Sequence, residues 1–194
     1  TSNAYFLSNL EYQNNHFSAH LELLLQYVLN TFVAFPLEVD VIKSSAFTLE
    51  ALSKLLDVNK LNFILMNDSV HSIFNMVASP ECTLNAEGLA YVYKALSCLV
   101  VRAKNETICM QLCTFIHSQI SVLTDFMNAV EAQGGKGIPE GKKLENKIVL
   151  SRCVSCLRGI AMTPSGLDKI IRELFDASLP TLSWCVSFYN DHDD

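Results

Sequence analysis

The chain has 194 residues, half of them hydrophobic and only 18% charged, with a formal net charge of −6. That size and apolar content exclude a disordered segment and a mini-domain that needs metal or disulfide staples, and they set the domain count at one. Seven glycines and five prolines, with no glycine before Gly88, are too few for the turns of an all-β fold, so the chain is predicted to be all-α.

Hydrophobic periodicity and stop signals mark seven helical segments. The first spans about 17–35, with Leu21, Leu24, Leu25, Val28 and Phe32 on a wide apolar stripe that Pro36 ends. The second spans about 38–57, and the third follows Asn59 and Lys60 and stops at Ser79 and Pro80. Asn85 is a predicted cap for the fourth, which reaches about Arg102, and the fifth runs from about Glu106 to Glu131. Four of the seven glycines then fall between Gly134 and Gly141, which predicts an exposed, mobile loop over 133–141. The sixth helix runs from near Lys142 to Met162, where Pro164 ends it, and the seventh starts near Ser165. Pro180 is expected to break or kink that last helix before Leu182, Trp184 and Phe188.

Two charge-free windows, Leu23 to Leu37 and Thr107 to Thr124, contain Gln26, Asn30 and Pro36, or Gln111, His117 and Gln119, which lipid would penalise. They read as buried core helices, and no membrane partner is expected. Residues 1–16 read as a tag or flexible lead-in, with Ser2-Asn3-Ala4 resembling a cloning scar, and the whole as a piece of a larger protein. Six of the seven cysteines, Cys98, Cys109, Cys113, Cys153, Cys156 and Cys185, lie inside apolar helical runs. Reduced, buried thiols of this kind point to a cytoplasmic or nuclear location.

No catalytic, cofactor or metal signature carries an assignment. Cys153-Val154-Ser155-Cys156 has redox-dithiol spacing but lies inside a helix with no strand before it, and no second pair completes a zinc site. Cys109, Cys113 and His117 lie along one helix face, spread over about 12 Å, too far for one ion to bridge comfortably, and read as packing residues. His16 and His20 have zinc-pair spacing without the intervening Glu. Gly134-Gly135-Lys136-Gly137 is glycine-rich and basic but follows a helix instead of a strand.

Charge is uneven. Residues 1–93 carry three lysines against nine acids, whereas 136–172 carry eight basic residues against three acidic ones. Within that stretch Lys142, Lys143, Lys147, Arg152, Arg158 and Arg172 are the candidate partner-binding residues, for an acidic or phosphorylated peptide or for nucleic acid, with a plain solvated face as the alternative. The stretch lacks interleaved aromatics that would stack bases, so a protein partner ranks above nucleic acid.

A repeat organises the chain. Ala51-Leu52-Ser53-Lys54-Leu55 recurs 44 residues later as Ala95-Leu96-Ser97-Cys98-Leu99 and, a further 58 residues on, more loosely as Cys153-Val154-Ser155-Cys156-Leu157. Each copy opens a helical pair, over 38–79, 84–132 and 142–190, with 17–35 as a capping helix; such pairs bury their apolar faces by stacking. The segments Leu61 to Val70, Ile160 to Lys169 and Leu179 to Leu182 resemble the inter-helix turns of armadillo repeats. The resemblance, over about 38–190, is to the armadillo/HEAT-like helical repeats, and it implies a right-handed superhelical stack acting as a binding surface. A compact multi-helix bundle is the alternative fold. The chain departs from the import-receptor array of repeated Trp and Asn, since Trp184 stands alone and Phe188 lies four residues on. The expected function is a non-catalytic protein-protein interaction scaffold, with homo-oligomerisation open. The alternatives are a nucleic-acid or chromosome-associated scaffold on the basic stretch, and a metal-dependent helical enzyme or domain.

Overall fold

The computed structural model describes residues 20–79, 82–134, 138–163 and 168–192, and every regular element among them is helical. The helices are α1 (20–34), α2 (Val39–Ser53), α3 (Val58–Leu65), α4 (Asp68–Ala78), α5 (Ala86–Ala103), α6 (Glu106–Ala132), α7 (Glu140–Ala161) and α8 (Asp168–His192). His16, the proline at 80, the loop centre 135–137 and the turn 164–167 singled out above lie outside the described residues.

Side-chain caps set most of the helix starts. Asp57, Asn67, Asn85 and Asn105 each accept a hydrogen bond from a backbone N–H in the first turn of α3, α4, α5 and α6. Two boundaries differ from the sequence expectation for this reason. The second helix ends at Ser53 because Lys54 and Leu55 tighten into bonds to Ala51 and Leu52 carbonyls, which frees Asp57 to cap α3. The third helix divides at Met66 and Asn67, where extended Asn67 starts α4 by accepting from Ser69 N–H. The largest correction is at Pro180, which neither breaks nor ends α8. Pro180 and Asp176, whose carbonyl loses its donor, are both exposed, so water can take the missing bond.

Helix α5 is the centre of the molecule. It packs between α2 and α7 and also touches α3, while α6 packs against α8 and α7. Fourteen of its eighteen residues are buried, the pattern of a helix covered on all sides. Lys104, with φ of 52°, ends it in the left-handed conformation, and Asn105 at once caps α6, so the pair turns within two residues. The approach of α7 is close: Gly159 lies against the Ala90 carbonyl, and a Cβ there would sit 2.7 Å from that of Tyr93. Only glycine fits that crossing.

Helices α2 and α5 run side by side in a fixed register, as do α6 and α8. Phe47 meets Tyr91 with ring centroids 5.9 Å apart, and Glu50 meets Lys94, each pair 44 residues apart in sequence. Asn105 donates to Asn62 at 2.6 Å across 43 residues. Between α6 and α8, Thr124 and Thr181 hydroxyls lie 3.0 Å apart, and Phe126 meets Trp184 58 residues on. Trp184 also stacks on Phe188 at 5.1 Å and, with Val130 and Tyr189, closes a small aromatic core, so neither ring lines an open groove.

Candidate interaction surfaces

Helix α6 buries one stripe, from Ile108 and Leu112 through Ile116 and Ile120 to Leu123 and Phe126. Its opposite side is exposed at Met110, Gln111, Thr114, His117, Ser118, Ser121 and Val122, with no charged side chain between Thr107 and Thr124. The charge-free window is therefore only half core. The same holds for α1, where Leu23 and Tyr27 are exposed beside buried Leu25 and Phe32. At the far end of α6 a groove of about 320 Å³ opens toward the start of α7, lined by Val122, Asp125, Phe126, Ile138, Lys142 and Asn146. The Asn146 amide is buried there, donating to the Lys142 carbonyl at 2.8 Å while its Oδ1 has no hydrogen-bond partner.

The six basic residues do not form one patch. Lys142 pairs with Glu145 at 3.2 Å and Lys143 with Glu140 at 2.6 Å, which neutralises the start of α7. Lys147 lies 5.7 Å from the Tyr189 ring centroid. Arg152 turns inward, its Nη2 donating to the Val77 carbonyl at 2.6 Å at the end of α4, and it serves as a helix C-cap. Arg158 and Arg172 are exposed, with Arg158 beside an apolar groove of about 290 Å³ between α7 and α8. Arg158 stands sixteen residues from Lys142, about 24 Å along the helix.

One cation escaped the sequence reading. Lys94 is buried in α5, with Nζ 3.0 Å from Glu50 Oε2 and 3.7 Å from the Phe47 ring centroid. The Lys94 hydrogen bond holds the Glu50 carboxyl below its ordinary value. Only the repeat could have pointed here, because Glu50 and Lys94 hold the same repeat position.

All seven cysteines are free, and six are buried. Burial pushes Cys153 up to about 12 and Cys185 up to about 11, and raises Cys98 and Cys156. The bond between Cys109 and Cys113 raises the Cys113 thiol. Thiols held protonated in this way are poor nucleophiles. Cys109 and Cys113 face the core while His117 is exposed, so the three do not share a site. Among the described residues no cluster of three His, Cys, Asp or Glu has metal-binding geometry. The buried Tyr93 hydroxyl lies among the thiols of Cys156, Cys113 and Cys153, and burial raises its pKa well above the usual phenol range.

Helices α2 and α7 also expose apolar side chains at repeat positions that are buried elsewhere. At the leading repeat positions, Ala46 and Ala90 are buried but Ile148 is 54% exposed. At the trailing positions the order reverses: Leu55 is 60% exposed, while Leu99 and Leu157 are buried. The middle serine of the repeat, Ser53, Ser97 or Ser155, is buried in all three helices.

No helix among the described residues is long and apolar enough to cross a membrane. Comparison with protein-family models, curated proteins and solved structures finds no match for this chain.

Proposed function

We propose that the chain is a non-catalytic protein-interaction module built as an armadillo- or HEAT-like stack of helical pairs, working in a reducing compartment such as the cytoplasm or nucleus. The stacked reading is supported by the pairing of equivalent residues, Phe47 with Tyr91 and Phe126 with Trp184, at the spacing of the sequence repeat. Successive units related by translation place like beside like, which an up-and-down bundle of antiparallel helices does not do. The seven free thiols support the compartment.

The observation that carries the function is the exposed side of α6, which has no charge over the eighteen residues from Thr107 to Thr124. A solvated helix face is ordinarily studded with Lys, Glu and Arg, whereas the centre of a protein interface is depleted of them. The partner is a protein segment laid along α6, ending in the groove beside Phe126 and Asn146. With Arg152 capping α4 and Lys142 and Lys143 paired locally, nucleic acid ranks second.

The test is affinity capture from cells with the native chain, a Met110→Glu/Ser121→Glu variant and a Lys142, Lys143 and Lys147 to Glu variant, each confirmed as helical by circular dichroism. Partners lost only from the α6 variant support the proposal, and equal recovery by all three overturns it. Steeply salt-dependent binding of short DNA or RNA, abolished in the lysine variant, would favour the nucleic-acid reading instead.

A further inference from the structure

Helices α7 and α8 run antiparallel, with the Tyr189 hydroxyl near the end of α8 donating to the Lys143 carbonyl near the start of α7 at 2.7 Å. Further along, the groove of about 290 Å³ opens between Val154, Leu157 and Ala161 of α7 and Phe175, Leu179 and Leu182 of α8. Much of this apolar wall meets water: Leu179 is 63% exposed and Val154 44%. On α8 the wall continues past the groove, because Phe175, Leu179, Leu182 and Val186 follow the four-three-four spacing that keeps one seam along a helix, and Val186 is exposed too. Two polar side chains interrupt the walls. Ser178 is buried, its hydroxyl donating to the Leu174 carbonyl at 2.7 Å. Arg158 is exposed, no acid lines the groove, and among the described residues its guanidinium has no ion-pair partner.

We propose that this groove seats an amphipathic helix of a partner protein, its apolar stripe against α7 and α8 and an acidic side chain against Arg158. The inference rests on the reading of the chain as an interaction module, but on neither the stacked pairs nor the α6 side. The groove itself selects a helix. An extended segment laid in it would bring backbone N–H and C=O groups against walls that offer almost no partner, since Ser178 is already bonded within α8. A helix satisfies its own backbone and presents apolar side chains at the spacing of the α8 seam. That seam, eleven residues from Phe175 to Val186, spans about 16 Å, the length of about three helical turns. Arg158 selects the charge. A wholly apolar occupant would strip water from the guanidinium and leave it unpaired, a cost that a carboxylate on the occupant removes, and a basic occupant would be repelled.

The test is fluorescence anisotropy with a labelled, designed helical peptide that carries leucines at heptad spacing and one glutamate flanking them, alongside the same peptide with lysine in place of the glutamate. The native chain is expected to bind the glutamate peptide at least about tenfold more tightly than the lysine peptide. Leu179→Glu should lose both, and Arg158→Glu should reverse the preference; both positions are exposed, and melting curves confirm that the variants fold. The Met110→Glu/Ser121→Glu variant should bind as the native chain does. Equal affinity for the two peptides, no binding of either, or binding that survives Leu179→Glu overturns the proposal. Binding lost only in the α6 variant also overturns it, while supporting the α6 reading. A native dimer in sedimentation velocity that Leu179→Glu abolishes overturns it in favour of a second copy as the occupant.

Discussion

Leu55, Leu99 and Leu157 are the same residue in the same repeat position, yet the first is 60% exposed and the others are buried. The difference between α2 and α5 is therefore not chemical. A leucine at that position is suited to a covered strip, and whether it is covered depends on having a helix behind it. At the leading positions α7 shows the converse, with Ile148 open where Ala90 of α5 is sealed. Which helix lies alongside decides burial, and α2 and α7 each expose residues at repeat positions that are buried in α5.

The comparison is most sharply tested by truncating equivalent leucines. Leu99→Ala is expected to cost about 2 to 5 kcal/mol in denaturant unfolding, the range for a buried leucine that leaves a cavity. Gly159→Ala follows at about 1 to 3 kcal/mol, because the added Cβ presses on the Ala90 carbonyl and must move α7 off α5. A glycine replaced where α5 crosses its neighbour without loss would break the account of that interface.

Alkaline unfolding comes next. The folded state keeps Cys153 protonated to about 12 and Cys185 to about 11, against an ordinary value of 9.0, so above pH 9 the unfolded chain sheds protons the folded one retains. Stability is therefore full below pH 9 and falls as pH rises, by about 1.4 kcal/mol per pH unit for each such thiol. Replacing Cys153 by Ala should flatten that slope measurably in pH-dependent melting.

Glu50→Gln is expected to cost about 1 kcal/mol, modest because the Glu50 side chain keeps 21% of its surface in water even though Lys94 is buried. With its folded value depressed, Glu50 contributes stability that is present above its ordinary 4.5 and lost as pH falls through the folded value. The native chain should lose melting temperature in that acid window more steeply than Glu50→Gln does. The smallest effect closes the series: Leu55→Ala should stay within about 0.5 kcal/mol of the native monomer. A Leu55→Ala loss equal to that of Leu99→Ala would show that both leucines are covered and that α2 has no open strip.

Much of the fold was legible residue by residue. Asn85 sits where a cap is needed, apolar periodicity placed α1, α5, α6 and α7 closely, and cysteines inside apolar runs are buried. Such features are local, since a cap or an amphipathic stripe depends on neighbours a turn away. Pro180 does not interrupt α8, and the Asp176 carbonyl it frees is exposed where water can take the missing bond. Arg152 misled differently: nothing near it in sequence shows that the end of α4, over seventy residues earlier, needs a donor. The candidate basic patch was a sum of charges along the chain, and in space Glu140 and Glu145 neutralise part of it.

By itself the sequence determined that this chain is helical, where most helices begin and end, and that three of its segments share a 44- and 58-residue repeat. These follow from caps, periodicity and self-similarity, which act over a few residues or are visible as text. Tertiary structure alone decided which repeat positions are covered, that Lys94 and Arg152 face inward, and that α6 presents an uncharged outer side. Burial depends on which helix lies alongside, and that neighbour stands dozens of residues away in the chain.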